Sequence, residues 1–483
     1  MCLFVAERLS SVFLFAFGLP FCKTEKGGKR MTKEVFERLL IEKQYKAIKS
    51  IFDTMNPVDT ALLLPEFEDK QMVMLFRLIP KENAAMVFTY MEPEQEQVLV
   101  EAFTDSELKF IIDDMFIDDT VDVIEEMPAN VVERMLRMAG DKRTAINTIL
   151  NYPEDSAGSI MTLEYISLHP AMTIGDALKK IKTRGEYSET VNVCYVIEKH
   201  KLLGTITAMD LLTCDDDEIL SDVMEENPIT VKTLSDKEEV AQMFNKYDVV
   251  SIPVVDNENC MVGIVTFDDA IDVIQEEAEE DFQKMAAIAP NTDTPYLKIS
   301  TWELWKGRIP WLLLLMFSAT FTGIIISSFE DALSKLVVLT AFIPMLMGTG
   351  GNSGSQASVT VIRGLSLGEV DVKDIFKVMW KEFRVSILCG VSLAIACFVK
   401  IILIDGLLLK TPGVNNNVAL VVALTLCLTV ICAKFIGCVL PIIAKRLKLD
   451  PAVMASPFIT TVVDGVSLIV YFGIAKAILP ELM

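Results

Sequence analysis

Pro344-Met345-Leu346-Met347-Gly348-Thr349-Gly350-Gly351-Asn352-Ser353-Gly354-Ser355-Gln356 lies inside a longer apolar run, and its reading decides what the last third of the chain is. Gly348, Gly350, Gly351 and Gly354, with Asn352 and Gln356, would present backbone carbonyls and side-chain amides at membrane depth. Hydrocarbon tolerates such a stretch only against other protein or along a watery path. Small residues also let helices pack closely. Both readings stay open, because close packing can itself line a pathway.

Working outward, a membrane-crossing helix needs about 20 mostly apolar residues. Five stretches qualify as expectations: Pro310–Phe329, Leu336–Ile362, Val385–Ile404, Val418–Ala444 and Ala455–Leu479. The last contains Asp464, one turn after Thr460. A carboxylate near the centre of such a helix costs about 2.5–3.5 kcal/mol on insertion scales and is a functional group by default, the alternative being a hydrogen-bonded structural acid. Lys434, in the fourth stretch, is a second intramembrane charge that either snorkels or pairs. Basic residues concentrate before the first stretch (Lys298, Lys306, Arg308), between the second and third (Arg363, Lys373, Lys377, Lys381, Arg384) and between the fourth and fifth (Lys445, Arg446, Lys448). The expectation is a multi-pass cell-membrane protein, amino terminus cytoplasmic and carboxyl terminus outside.

The whole chain has 483 residues, 52% of them hydrophobic, yet a net charge of −23. From Ile309 onward there are 13 basic and 10 acidic residues, so the preceding part carries a net −26. That field repels phosphate backbones and excludes nucleic acid as a partner. A cation suits it. The ten cysteines form no CxxC pair, and the two histidines, His169 and His200, give little material for histidine catalysis or a transition-metal site. No GxxxxGK[ST] loop, nucleophile–base pair or metal-hydrolase histidine motif is present, so an enzyme or an ATP-driven pump is not expected.

Residues 1–30 read as an extension with an apolar run interrupted by Glu7 and Arg8, and Met31 is the expected start of synthesis. Residues 31–155 show helical periodicity punctuated by Pro57, Pro80, Pro93 and Pro128, which predicts a solenoid-like series of short helices. Asp118, Asp119 and Asp122 share one turn there. Residues 156–275 alternate strand and helix in two matching halves. Met161, Val193–Ile197 and Gly204 to Asp210 match Met224, Ser251–Val255 and Gly263 to Asp269. Each half ends in Thr-x-x-Asp, at Thr207/Asp210 and Thr266/Asp269, a pattern that caps a helix. A linker helix follows within 267–300, with Asp269, Asp272, Glu276, Glu277, Glu279, Glu280 and Asp281 on its charged faces. The membrane portion is 301–483.

This order resembles the MgtE family of magnesium channels and transporters: acidic helical domain, tandem CBS pair, acidic plug helix and five-helix transmembrane domain. Tyr152-Pro-Glu-Asp-Ser-Ala-Gly-Ser-Ile-Met161, the glycine run, Arg363-Gly-Leu and Asp450-Pro-Ala with Pro457-Phe and Asp464 carry the resemblance. It implies a homodimer whose second and fifth spans line a pore. It places Asp464, Asn352, Gly350, Gly351, Gln356 and Thr460 about the transported ion. It further implies regulatory Mg2+ at Asp118, Asp119, Asp122, Asp269, Asp272, Glu276, Glu277, Glu279 and Glu280. In CBS modules Thr207, Asp210, Thr266 and Asp269 would hold an adenosine ribose, an alternative to plain capping. Ser456 stands where some relatives have asparagine. Oxygen ligands from one carboxylate per chain suit hydrated Mg2+ and argue against copper or zinc, while Mn2+, Co2+ and Ca2+ remain alternatives. A membrane-anchored CBS receptor is the other class; it would need neither the glycine run nor Asp464.

Overall fold

The computed structural model describes residues 33–290, 296–454 and 456–479, with a short antiparallel pair formed by Cys22–Lys23 and Lys29–Arg30. The expected start at Met31 and the apolar run before it lie outside the described residues. The chain divides into two compact units, one ending at Val273 and the other beginning at Ile274.

In the first unit, residues 33–149 form a series of helices of seven to ten residues. Their starts are set locally. Asn56 accepts from Val58 N at 2.9 Å ahead of Pro57, which needs no backbone partner at a first helical position. Thr104 and Glu107 satisfy each other's backbone amides in a reciprocal capping box. Helices this short are marginal alone and hold together by tertiary burial. Phe36, Phe52, Leu75, Phe88, Leu99 and Leu108 are fully buried, each contributing about 1.5–3 kcal/mol of apolar burial.

That core runs on without a break into the second CBS half, through Val240, Phe244, Ile252, Val265 and Ala270. The first half keeps a core of its own around Ile174, Cys194 and Ile206. In the first half, Ser167–Leu168 pairs in parallel with Val193–Glu198, which pairs antiparallel with Lys201–Thr207. In the second half, Val231–Lys232, Ser251–Val255 and Met261–Thr266 repeat the arrangement.

The halves are nevertheless crossed, where the sequence assigned Met161 to the first and Met224 to the second. Glu225 pairs with Thr205, and a side chain on Gly204 would collide with Glu225 O and Met224 Sδ. Thr162 bridges to Ile264, and a side chain on Gly263 would collide with Thr162 O and Met161 Sδ. Each half's leading segment thus completes the other half's sheet, over the glycine that admits it.

The second unit begins within the acidic helix Phe267–Met285, which lies inside the 267–300 expected for the linker. Thr301–Ser328 starts nine residues before the expected span, behind a Ser300–Glu303 capping box. Among the described residues four helices are long and apolar enough to cross a membrane: Thr301–Ser328, Val372–Leu408, Asn416–Arg446 and Pro451–Ile478. The glycine-bearing helix Ile343–Ser366 is not among them. Its 24 residues would reach about 36 Å, but small polar residues dilute its hydropathy. It packs instead between Asn416–Arg446 and Ser456–Ile478, with Leu346, Ala357, Val361 and Leu365 buried.

Candidate ion pathway and acidic face

The glycine helix has two faces. Gly350, Gly351 and Gly354 are buried. A side chain on Gly351 would come to 2.9 Å from Thr460 Cγ2, and one on Gly354 to 2.8 Å from Ile459 Cγ2 and 3.1 Å from Ala433 O. The tightest crossing is backbone to backbone, since any side chain on Gly437 would overlap the carbonyl of Gly354. Gly348, Asn352 and Gln356, spaced by four, form an exposed stripe on another face.

Thr460 is therefore brought against Gly351, with its hydroxyl donating to Pro457 O at 2.9 Å. Asp464 lies one turn further along, half-buried, and no hydrogen bond or ion pair reaches it from the described residues. The side chain of Ser456 is outside the described residues. Lys434, which sequence alone left unplaced, is 5% exposed with its ammonium 3.7 Å from Glu382 Oε2. Glu382 was missed because it sits among Lys381 and Arg384 and reads as loop. The helix Ile375–Lys400 begins earlier and takes it in.

The acidic face belongs to the first unit. On the helix Ile117–Glu125, Asp118 is buried, and its carboxyl is pushed up to about 7 by burial first and by Asp119 next. Asp119 rises to about 6 through burial and then Asp269 and Asp268. Asp122, whose side chain still opens to solvent, rises to about 8 through loss of hydration and then Asp269, Asp118 and Asp119. Asp269 rises to about 7 through burial and Asp118. The structure thus brings Asp118, Asp119, Asp122 and Asp269 into electrostatic reach of one another. Asp272 is exposed and raised by partial burial and Asp268.

Glu276, Glu277, Glu279 and Glu280 lie past the division, in the second unit. There Glu279 accepts from Gln275 at 3.2 Å and Glu280 pairs with Lys284 at 2.7 Å. Among the described residues no group of three or more His, Cys, Asp or Glu side chains is arranged to hold a metal ion. What the acidic face offers is carboxylates within electrostatic reach of one another, not a closed ligand cage.

Three further acids join that face. Glu189 rises to about 9 through burial and then Asp118 and Asp119, and its Oε2 is buried without a partner among the described residues. Glu96 rises to about 9 through burial and then Glu126 and Asp119, again with an Oε2 that has no partner among the described residues. Glu164 accepts from Ile117 N at 2.8 Å and lies 3.8 Å from Lys142. Glu96 carried a readable signal: it precedes Leu99 by three and Val100 by four, which puts it on the buried face. Glu189 sits outside any periodic element and carried none.

Both Thr-x-x-Asp pairs are engaged locally. Thr207 and Asp210 form a complete capping box, with the Thr207 amide donating to Asp210 Oδ2 at 3.1 Å. Thr266 Oγ1 donates to Asp269 Oδ2 at 2.5 Å, so this pair is shared with the acidic face.

Comparison with known proteins matches residues 343–474 to the family model MgtE, a divalent cation transporter. Residues 55–155 match the MgtE intracellular N domain, and 157–216 and 220–276 match CBS domains. The magnesium transporter MgtE of Bacillus subtilis is 35% identical over 92% of this chain and 96% of its own length. That of Thermus thermophilus is 31% identical over 92% of this chain and 97% of its own. Among solved structures, the cytosolic domain of the Mg2+ channel MgtE in complex with ATP is 28% identical, covering 49% of this chain and 98% of that one, with a TM-score of 0.47.

Proposed function

This chain belongs to the MgtE family of divalent cation transporters, and from that premise we propose that it carries Mg2+ across a membrane through a pathway gated by cytosolic Mg2+. The observation that carries the reading is a pair of unsatisfied polar features in one bundle. The stripe Gly348, Asn352 and Gln356 is exposed on one chain, and Asp464 has no protein partner among the described residues. Amides and a carboxylate at that depth require water, an ion or another chain.

Two copies related by a twofold axis would face these groups across a central path. Two Asp464 carboxylates, aided by Asn352, Gln356, Thr460 and the carbonyls around Gly350 and Gly351, would then hold an ion that keeps most of its water. The basic loops favour a cytoplasmic amino terminus and an outer carboxyl terminus. A potential of −100 mV supplies about 4.6 kcal/mol for an entering divalent ion, enough to drive uptake without ATP hydrolysis.

Regulation rests on the acidic face. Asp118, Asp119, Asp122 and Asp269 resist joint ionisation, and Mg2+ would offset their repulsion. Cations shift a gate only if one state holds them more tightly, and on this reading the closed state does. Asp272, Glu276, Glu277, Glu279 and Glu280 would extend the same field along the plug helix. The Thr207–Asp210 pair, less committed to acidic neighbours than Thr266–Asp269, would take a nucleotide ribose if either does.

Growth and Mg2+ uptake in a transport-deficient bacterial strain test the pathway. Wild type should rescue and Asp464→Ala should not, with both proteins present in the membrane. Rescue by neither would move the reading to another ion, which competition by Mn2+, Co2+ or Ca2+ would identify, or to a membrane-anchored receptor. Inside-out patches test the gate: open probability that stays flat as cytosolic Mg2+ rises would refute feedback.

A further inference from the structure

A cavity of about 350 Å³ opens in the CBS pair, and its lining runs against the charge of the protein. The chain has two histidines, and both line it, together with Lys180 and Lys199. No lining residue is acidic, in a chain of net charge −23. Leu168, Ile197 and Met261 supply apolar surface, and the ring of Tyr165, held edge-on to Tyr195 at 5.7 Å, supplies an aromatic wall.

The cationic groups are placed by the fold. Lys180 Nζ donates to Ser167 O at 2.5 Å, which fixes the ammonium at the wall and leaves it two further hydrogens. Ala171 N donates to His169 Nδ1 at 3.3 Å, which fixes the ring and leaves Nε2 as its free nitrogen. Lys199 and His200 form a two-residue hairpin turn with φ of 49° and 68°. Turns with both residues left-handed are normally Asn-Gly or Asp-Gly, so Lys-His is a strained choice that sets two basic side chains at the rim. Met261 N donates to His200 O at 2.8 Å, tying this turn to the other CBS half.

The cavity is separate from the Thr-x-x-Asp ends of the sheet. Thr207 pairs with Val193, whereas the Lys199–His200 turn follows Glu198 at the far end of the same strand. Five residues separate those ends, about 17 Å of strand.

We propose that this cavity binds a small phosphate-bearing anion with an apolar or aromatic body. The cationic rim takes the phosphate, and Tyr165 with the apolar residues takes the body. Cations gathered inside an otherwise acidic surface focus an anion that the rest of the molecule repels. The phosphate belongs either to a soluble metabolite or to a lipid headgroup. The proposal does not depend on ion transport, because binding is measured without flux.

The test uses the purified full chain in detergent, with AMP and inorganic phosphate as probes in calorimetric titrations. Wild type should bind AMP more tightly than phosphate. Lys180→Met and His200→Asn should each weaken AMP by about tenfold or more, the loss expected for one charge-assisted contact. Lys179→Met, which removes a neighbouring ammonium that does not line the cavity, should leave that binding unchanged. His200→Asn also serves as its own folding control, since asparagine tolerates the left-handed turn; its melting temperature should hold or rise while binding falls. Short-chain phosphatidylglycerol as competitor assigns the source. Displacement of AMP indicates a headgroup site and no displacement a soluble ligand, each with the variant pattern intact. Absence of AMP binding at millimolar concentration, or a weakening by Lys179→Met as large as that by Lys180→Met, would overturn the proposal.

Discussion

Lys284, in the last turn of the acidic helix, places its ammonium 2.7 Å from Asp450 Oδ2 and equally 2.7 Å from Glu280 Oε1. Burial alone would lower its pKa; the hydrogen bonds to Asp450 and Glu280 outweigh that and raise it. Ser366 Oγ donates to the neighbouring Asp281 at 3.3 Å. The end of the acidic helix is thus tied at once to the last residue of the glycine helix and to the turn that precedes the Asp464 helix.

Replacing Lys284 by Met should loosen this tie and weaken closure by cytosolic Mg2+. The pair is partly solvated, so the expected effect is about a threefold to tenfold rise in the half-closing Mg2+ concentration. The charge-swapped Lys284→Asp/Asp450→Lys protein should recover much of it. Unchanged Mg2+ dependence in patches from Lys284→Met would remove this contact from the gate.

Stability should depend on pH and Mg2+ together. Asp118 and Asp269 near 7, Asp122 near 8 and Glu96 and Glu189 near 9 all lie above the 3.8 or 4.5 of their ordinary carboxyls. Between about pH 4 and 8 the unfolded chain loses these protons first, so the native state binds more of them and stability falls as pH rises. In metal-free buffer the fall for the full chain should be on the order of 1–3 kcal/mol from pH 5 to pH 8. Mg2+ should restore stability at pH 8 and do little at pH 5. Thermal melts over a pH–Mg2+ grid check both signs.

Gly437→Ala should destabilise the bundle by about 1–3 kcal/mol, because the new methyl meets the Gly354 carbonyl and one helix must shift. Gly473→Ala is the control, with no atom of the described residues within 4 Å of its new methyl. Equal melting temperatures for the two variants in detergent would contradict the close crossing.

Lys434→Met should cost about 3–5 kcal/mol by stranding Glu382, whose Oε2 has no hydrogen bond among the described residues. Lys434→Met/Glu382→Gln should regain most of that, since neutralising both partners removes the uncompensated charge. A double variant no better than the single would show that the two side chains do not compensate each other.

Some of this was legible in the chain because single residues contradicted their surroundings. Asp464 stands in an apolar run, and Asn352 and Gln356 interrupt another, so each announced itself. The paired CBS halves were legible from repeated Gly and Thr-x-x-Asp. Their crossing was not, because Met161 and Met224 precede their halves in order and only a sheet in three dimensions exchanges them. Gly437 gave no warning as a lone glycine in a long helix. Its role lies entirely in the distance to Gly354, which no periodicity encodes.

That crossing has a mechanical consequence. With no side chains between them, the two helices meet at a fulcrum. Rotation about it keeps the backbone contact, whereas sliding would drive carbonyl into methylene. The expected motion of the glycine helix is therefore a tilt, and its reach grows with distance. Ten residues along, about 15 Å away, a tilt of about 5° already carries a side chain more than 1 Å. Cysteine pairs spaced along the two helices would show it: crosslinks near Gly354 indifferent to Mg2+, those at the ends responsive.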